Sequence, residues 1–71
     1  MQTQAIPEDL LLSRAEVEVR FGLTRRFLEV SAVRGDGPPF IKINRAVRYR
    51  VGDLREWIES HRVNSTSEVA G

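Results

Sequence analysis

Apolar residues at helical spacing mark the first regular element of the chain. Val17 and Phe21 lie four residues apart and define one buried face of a helix that we predict over residues 14–21. Ser13 is followed three residues later by Glu16, which is the signature of a capping box at the start of a helix. The pattern therefore predicts a short amphipathic helix with a well-defined N-terminus.

A second helix is predicted after a link of only three residues. Gly22 is a favourable C-terminal stop for the first helix, and Thr24 is a favourable N-cap for a helix from Arg25 to about Arg34. Two short helices joined by a short turn with a glycine are typical of helix-turn-helix proteins, although many helical corners that bind nothing share this pattern.

Alternating apolar and polar residues follow a turn rich in glycine and proline at residues 35–39. We predict a two-stranded hairpin over residues 40–50 with its turn at residues 44–46, because Asn44 tolerates the left-handed backbone conformation that tight turns need. Four apolar side chains should face the helices: Ile41, Ile43, Val47 and Tyr49. Three basic side chains should face outward, with Arg45 at the tip of the turn: Lys42, Arg48 and Arg50.

A third helix is predicted to begin near residues 52–53 and to fade near residues 61–62. Leu54, Trp57 and Ile58 fall on one apolar stripe, and we expect Trp57 to be the largest single contributor to the core.

The elements then read helix, turn, helix, hairpin, helix, so the predicted fold class is mainly α with a small β-hairpin. A hairpin directly after a helix-turn-helix is a wing, and we expect a winged helix-turn-helix. Three segments follow from this pattern. Residues 1–9 are predicted to be a flexible N-terminal arm, residues 10–62 the winged helix-turn-helix domain, and residues 63–71 a disordered tail.

Composition excludes several kinds of site. The chain has 71 residues, enough for one small domain, and it contains no cysteine, so disulfides and thiolate metal sites are excluded. The single histidine, His61, has no partner at ligand spacing, and no glycine-rich loop is placed to cradle a phosphate. We therefore predict no catalytic residue, no metal site, no cofactor and no small-molecule ligand.

The longest apolar run, Leu10 to Leu12, is far shorter than the roughly 20 residues that a membrane span needs. We expect a cytoplasmic protein with no membrane partner.

Charge is distributed unevenly along the chain. The net charge is only +1, yet residues 20–50 hold eight basic and two acidic residues, a net charge of +6. The flanking residues 1–19 and 51–71 carry −3 and −2. A basic centre between acidic flanks indicates a surface for a polyanion, and double-stranded DNA is the partner that the predicted elements favour.

The second helix would enter the major groove with its N-terminal residues near base edges. Arg25 and Arg26 stand in its first turn, where positive charge opposes helix stability, and this favours a functional reason for both. Val30 and Val33, on the outer arc, are candidates for contact with thymine methyl groups or with a neighbouring subunit. Glu29 either accepts a hydrogen bond from cytosine N4 or pairs with a neighbouring arginine, and we favour the ion pair.

The hairpin supplies a second group of candidates. Lys42, Arg45 and Arg48 would neutralise phosphates or enter a narrow minor groove. Arg50 either joins this group or pairs with an acidic residue of the last helix. The full set of predicted DNA-binding residues is Thr24, Arg25, Arg26, Glu29, Val30, Lys42, Arg45, Arg48 and Arg50.

The sequence also resembles a known family over residues 10–62. Four segments carry the resemblance in order and spacing: LSRAEV at 12–17, GLTR at 22–25, PFIKINRAVRY at 39–49 and DLREW at 53–57. These segments are similar to motifs of the small excisionase and AlpA-type winged helix-turn-helix domains of the MerR superfamily. Three positions depart from the family pattern: Asn44 stands where glycine is common, Ser31 where a bulky aliphatic residue is usual, and Glu29 where an aromatic or basic residue is frequent.

The resemblance implies a recombination directionality factor of a phage or other mobile genetic element. Such a protein binds and bends DNA near an attachment site and favours excision by a site-specific integrase. Several copies would have to associate cooperatively on DNA, because one module alone buries a limited interface. The resemblance also implies a bacterial or phage protein located at the nucleoid.

Two alternatives remain open at this point: a small transcriptional regulator that binds a promoter with the same fold, and a protein-interaction adaptor or inhibitor that kept the fold but not DNA binding. The inner face of the second helix offers only Leu28, Ser31 and Ala32 to the core. This leaves open whether Phe27 lies in the core or faces DNA.

Overall fold

Three helices and a three-stranded antiparallel sheet are present in the computed structural model, which describes residues 6–63. The elements are β1 (Leu11–Leu12), α1 (Arg14–Phe21), α2 (Arg25–Arg34), β2 (Ile41–Ile43), β3 (Ala46–Arg50) and α3 (Val51–Glu59). Residues 1–5 of the predicted arm and 64–71 of the predicted tail lie outside the described residues. No helix in the range 6–63 combines the length and the apolar character required to cross a bilayer.

The capping box predicted for α1 is confirmed. The Ser13 hydroxyl accepts a hydrogen bond from the Glu16 N–H at 3.2 Å, and the Glu16 carboxylate accepts one from the Ser13 N–H at 2.8 Å. The hydrogen bond from the Ser13 N–H is the main reason that the pKa of Glu16 lies below its ordinary value, and the nearby Arg20 and Arg48 guanidinium groups lower the pKa further. The backbone of Gly22 ends the helix in the left-handed conformation, at φ 79°.

The bounds predicted for α2 are also confirmed. The Thr24 hydroxyl accepts from the Phe27 N–H at 3.0 Å, and Gly35 ends the helix at φ 85°. Only residues 22–24 separate α1 from α2.

The sheet contains one strand that the sequence pattern did not predict. Its order is β1-β3-β2, with Leu12 of β1 opposite Tyr49 of β3. A strand of two residues is too short to show alternation, and its partner lies far along the chain, so no local signal marks it. The fold is therefore mixed α/β, with a three-stranded sheet where the sequence predicted only a hairpin.

The predicted facing of the hairpin side chains is wrong at three positions. The turn between β2 and β3 contains two residues, Asn44 and Arg45, and Asn44 has φ 57°. This register places Ile41 opposite Arg48 and Lys42 opposite Val47. Since opposite residues share a face, Ile41 and Ile43 lie on the outer face with Arg48, and Lys42 shares the inner face.

The physical reason is that the turn contains an even number of residues, two, where the sequence predicted three. A turn over residues 44–46 would pair residue 43 with residue 47, whereas the two-residue turn pairs Ile43 with Ala46. Ile41 and Ile43 are accordingly 36% and 49% exposed, while Tyr49 is buried as predicted.

The replacement Ile43→Thr should therefore change stability very little. We expect the free energy of unfolding to shift by no more than about 0.5 kcal/mol, because the side chain is half exposed and threonine keeps the branched shape that strands favour. Val17→Thr is the control, since Val17 is 0% exposed and a hydroxyl there should cost about 1–3 kcal/mol. Urea denaturation of both variants measures the difference, and a large loss for Ile43→Thr would contradict the register.

The core lies between the sheet and the three helices. Among residues 6–63, six apolar residues form the buried core cluster: Leu12, Val17, Leu28, Tyr49, Val51 and Leu54. Partly buried apolar residues pack around them: Ile6, Phe21, Leu23, Phe27 and Val47.

Trp57 is not the central core residue that the sequence predicted. Its ring is only half-buried and packs at the edge, with ring centroids 6.0 Å from Phe27 and 4.2 Å from His61. The reason is the start of α3 at Val51, which makes Val51 and Leu54 its buried positions. The helix also ends at Glu59, before the predicted end near residues 61–62.

Residues 6–10 contact the start of α3. No side chain caps this helix; the N–H of Val51 donates to the Leu10 carbonyl at 3.0 Å, and the N–H of Gly52 donates to the Glu8 carbonyl at 2.8 Å. These carbonyls satisfy N–H groups that have no partner inside the helix. The Glu8 carboxylate also pairs with Arg55. Residues 6–9 of the predicted arm therefore form part of the folded unit.

Candidate functional site

The exposed face of α2 carries the first group of predicted site residues. Arg25, Arg26, Glu29 and Val33 are exposed and Val30 is partly exposed. At 100° per residue these positions fall within one arc of the helix, opposite the buried side chains of Leu28 and Ser31.

Phe27 lies on the core side of α2. Its ring packs against the buried cluster and lies beside Trp57. Phe27 therefore fills core space, and the exposed arc of α2 contains no aromatic residue.

Ser31 lies where the chain folds back after α2. It is 1% exposed, and its hydroxyl donates to the Leu28 carbonyl at 3.3 Å. A Cβ atom on Gly37 would lie only 2.2 Å from the Ser31 Oγ and 2.7 Å from the Ser31 Cβ. The backbone at Gly37 thus occupies the space that a bulky aliphatic side chain would take, which gives a physical reason for serine at this position.

Ion pairs divide the cationic side chains into two groups. Five arginines are paired with carboxylates: Arg25, Arg34, Arg50, Arg55 and Arg62. Among residues 6–63 the other six cations form no ion pair: Arg14, Arg20, Arg26, Lys42, Arg45 and Arg48. Three of these six lie on the hairpin, whereas every cation of α3 and the residue before it is paired.

The hairpin presents its cations at different depths. Arg45 is exposed at the tip and Lys42 is exposed on the edge strand β2. Arg48 is partly buried, and its guanidinium donates to the Val47 carbonyl at 2.8 Å. Arg14 is held differently, because its Nε lies 3.3 Å from the Tyr49 hydroxyl.

Arg50 is bound within the chain, as its position near the last helix allowed. Its guanidinium pairs with Asp53 at 3.1 Å. A Cβ on Gly52 would meet both the Arg50 guanidinium, at 2.7 Å, and the Glu8 carboxylate, at 2.9 Å, so these two groups lie over the same glycine. Arg50 therefore stands in an acidic environment, unlike Lys42 and Arg45.

The ion pair favoured for Glu29 does not form. Arg25 turns to α1 instead, where its N–H donates to the Glu18 carboxylate at 3.3 Å and its guanidinium lies 3.9 Å from the same group. Within the described part of the chain, Glu29 pairs with no lysine or arginine.

Two features of this surface were missed by the sequence reasoning. Arg20 is exposed near the end of α1 without an ion pair in residues 6–63, and its place at the start of the basic stretch 20–50 was the available signal. The outer face of the sheet exposes Ile41 and Ile43 beside Arg48, and only the register reveals this.

The described residues offer no alternative centre for metal chemistry, since no group of three or more histidine, cysteine or acidic side chains in the range 6–63 is placed to hold an ion.

Comparisons with protein-family models, with curated proteins and with solved structures found no match.

Proposed function

We propose that this protein binds double-stranded DNA as a winged helix-turn-helix domain and acts as an excisionase-like recombination directionality factor. The single observation that carries DNA binding is the division of the cations. Those of the hairpin and Arg26 on α2 lack carboxylate partners among residues 6–63, whereas those around α3 are neutralised by ion pairs. Cations without internal partners are available to phosphates.

In this proposal α2 is the recognition helix. Its exposed arc is free of core packing, and the Thr24 cap fixes the start of the helix, which is the end that meets base edges in helix-turn-helix complexes. Arg26 reaches a base edge and the Thr24 hydroxyl lies at the DNA backbone. Arg25 drops out of the predicted contact set, because Glu18 of α1 takes up its charge. Val30 and Val33 supply apolar surface for thymine methyl groups.

The hairpin β2–β3 acts as the wing. Arg45 lies on its two-residue turn, and Lys42 and Arg48 lie on its strands. In this proposal all three contact the DNA backbone or an adjacent minor groove. Arg50 drops out of the contact set, because its charge is taken up by Asp53. Arg20 joins the set, because it is exposed near the end of α1 and forms no ion pair within residues 6–63.

The role in recombination rests on the resemblance of residues 10–62 to excisionase domains. One module of this size buries too little DNA surface for high affinity, so several copies bind cooperatively near the attachment site and bend it for the integrase. A promoter-binding regulator would use the same residues, and a duplex carrying an attachment site distinguishes the two roles.

Fluorescence anisotropy tests DNA binding directly. The full chain is titrated onto a duplex enriched by selection and onto a random duplex, each at two salt concentrations. We expect tighter binding to the selected duplex and a fall in affinity with salt for both. Absence of binding to either duplex at low salt would overturn the proposal in favour of a protein partner.

Loss of the Arg26 guanidinium should relax sequence preference. For Arg26→Ala we expect the preference for the selected duplex to fall by roughly fivefold to 150-fold, because a bidentate contact to a guanine is lost, while binding to random DNA changes far less. Arg62→Ala is the charge-matched control, since Arg62 lies beyond the end of α3 and pairs with Glu59, the last residue of that helix. Equal weakening on both duplexes would assign Arg26 to the backbone instead.

A further inference from the structure

We propose that Glu29 is a specificity-determining residue that selects cytosine. This inference rests on the proposed function, because it requires α2 to enter the major groove. It reverses the ion-pair interpretation favoured by the sequence alone.

The negative charge of Glu29 lies on the face of α2 that would meet DNA, and helix capping does not explain it. It is exposed, four residues after Arg25 and three after Arg26, and so it lies among the side chains that would face the groove. An acidic residue interacts favourably with the helix dipole only in the first turn, and Glu29 lies beyond the first turn of α2. Thr24 caps the helix.

Neither of the two arginines nearby on α2 forms an ion pair with Glu29. Arg25 is bound by Glu18 of α1, through both its backbone N–H and its guanidinium. Arg26 forms no ion pair with any residue in the range 6–63. Inside the described chain, Glu29 therefore serves neither as a cap nor as an ion-pair partner.

The chemistry of the major groove gives such a carboxylate one suitable target. An ionised carboxylate only accepts hydrogen bonds. The donors at base edges in the major groove are the amino groups of cytosine and adenine, and adenine places its N7 acceptor beside its donor. The carboxylate is therefore best matched by cytosine N4, and at other bases it meets acceptors and phosphates that repel it.

The test compares Glu29→Ala with a charge-matched control, Glu56→Gln. Glu56 is exposed on α3, and within residues 6–63 it has no ion pair either. Affinities are measured for the selected duplex, for a series in which each C·G pair is replaced in turn, and for random DNA. A further duplex carries pyrimidin-2-one, which lacks the N4 amino group, at the sensitive position.

We expect the wild-type protein to lose about fivefold to 150-fold in affinity when one particular cytosine is replaced, and a similar factor when its N4 amino group is removed. For Glu29→Ala this penalty should vanish at that position alone, while affinity for random DNA rises. Glu56→Gln should keep the full penalty.

An unchanged pattern of base preference in Glu29→Ala would overturn the assignment of Glu29, even if its overall affinity rose. Failure of the wild-type protein to bind any duplex would overturn the proposed function itself and this inference with it. The two failures are therefore distinguishable.

Discussion

The double replacement Arg45→Ala and Arg48→Ala is expected to weaken DNA binding by roughly 100-fold at 0.1 M salt, whatever the sequence of the duplex. Both cations lie on the hairpin β2–β3 and neither pairs with a carboxylate within residues 6–63. Each phosphate contact contributes about 0.9 to the slope of log affinity against log salt concentration. The double variant should therefore lower the magnitude of that slope by about 1.8.

The salt slope is the decisive measurement, obtained by anisotropy titration at several salt concentrations. Arg55→Ala with Arg62→Ala is the matched control, because it removes the same charge from cations that are already paired with Glu8 and Glu59. The control should bind nearly as the wild-type protein does. If the hairpin variant kept the wild-type slope, the hairpin would not contact phosphates, and its arginines would have another role.

Gly37→Ala is expected to lower the free energy of unfolding by about 1–3 kcal/mol. The added Cβ would lie 2.2 Å from the Ser31 Oγ and 2.7 Å from the Ser31 Cβ, so either the loop or α2 must move. A core of this size usually supplies only about 3–5 kcal/mol of stability. The melting temperature should therefore fall by roughly 4–8 °C for each kcal/mol lost.

A double-mutant cycle with Ser31→Ala separates this contact from a general effect of glycine replacement. Ser31→Ala removes the atom at 2.2 Å but leaves the one at 2.7 Å, so it should rescue Gly37→Ala only in part. Gly35→Ala is the control, since Gly35 has φ 85° and no atom within 4 Å of its added Cβ. Its cost comes from the backbone, and Ser31→Ala should not reduce it. Equal behaviour of the two glycines would contradict the close packing at Gly37.

The starts and stops of α1 and α2 were predictable because the residues that decide them are neighbours in sequence. Ser13 with Glu16, Thr24 and Gly22 each act through bonds that span at most four residues. The same reasoning placed α1 and α2 within their observed bounds.

The facing of the hairpin was not predictable in the same way. One residue more or less in the turn moves every side chain of a strand to the other face, and residues 43–46 admit both turn lengths. The two residues of β1 carry no pattern of their own, so this strand is defined only by its pairing with β3.

Side-chain partners on the candidate site were predictable only at short range. The pairing of Arg50 with Asp53 follows from their spacing across the start of α3. The pairing of Arg25 with Glu18 depends instead on how α1 and α2 pack, and it leaves Glu29 without the neighbouring arginine that the sequence predicted as its partner. The large apolar ring of Trp57 favours complete burial, yet its place near the end of α3 leaves it only partly buried.

The central position of β3 has a consequence for the order in which the sheet assembles. Its pairing with β2 closes a two-residue turn, an event that takes about 1–10 μs in hairpins. Its pairing with β1 must instead close a loop that contains both α1 and α2. The chain loses the entropy of that closure before the stabilising contacts between the two strands form. We therefore expect the hairpin β2–β3 to form early and locally, and the pairing of Leu11 and Leu12 with β3 to follow it.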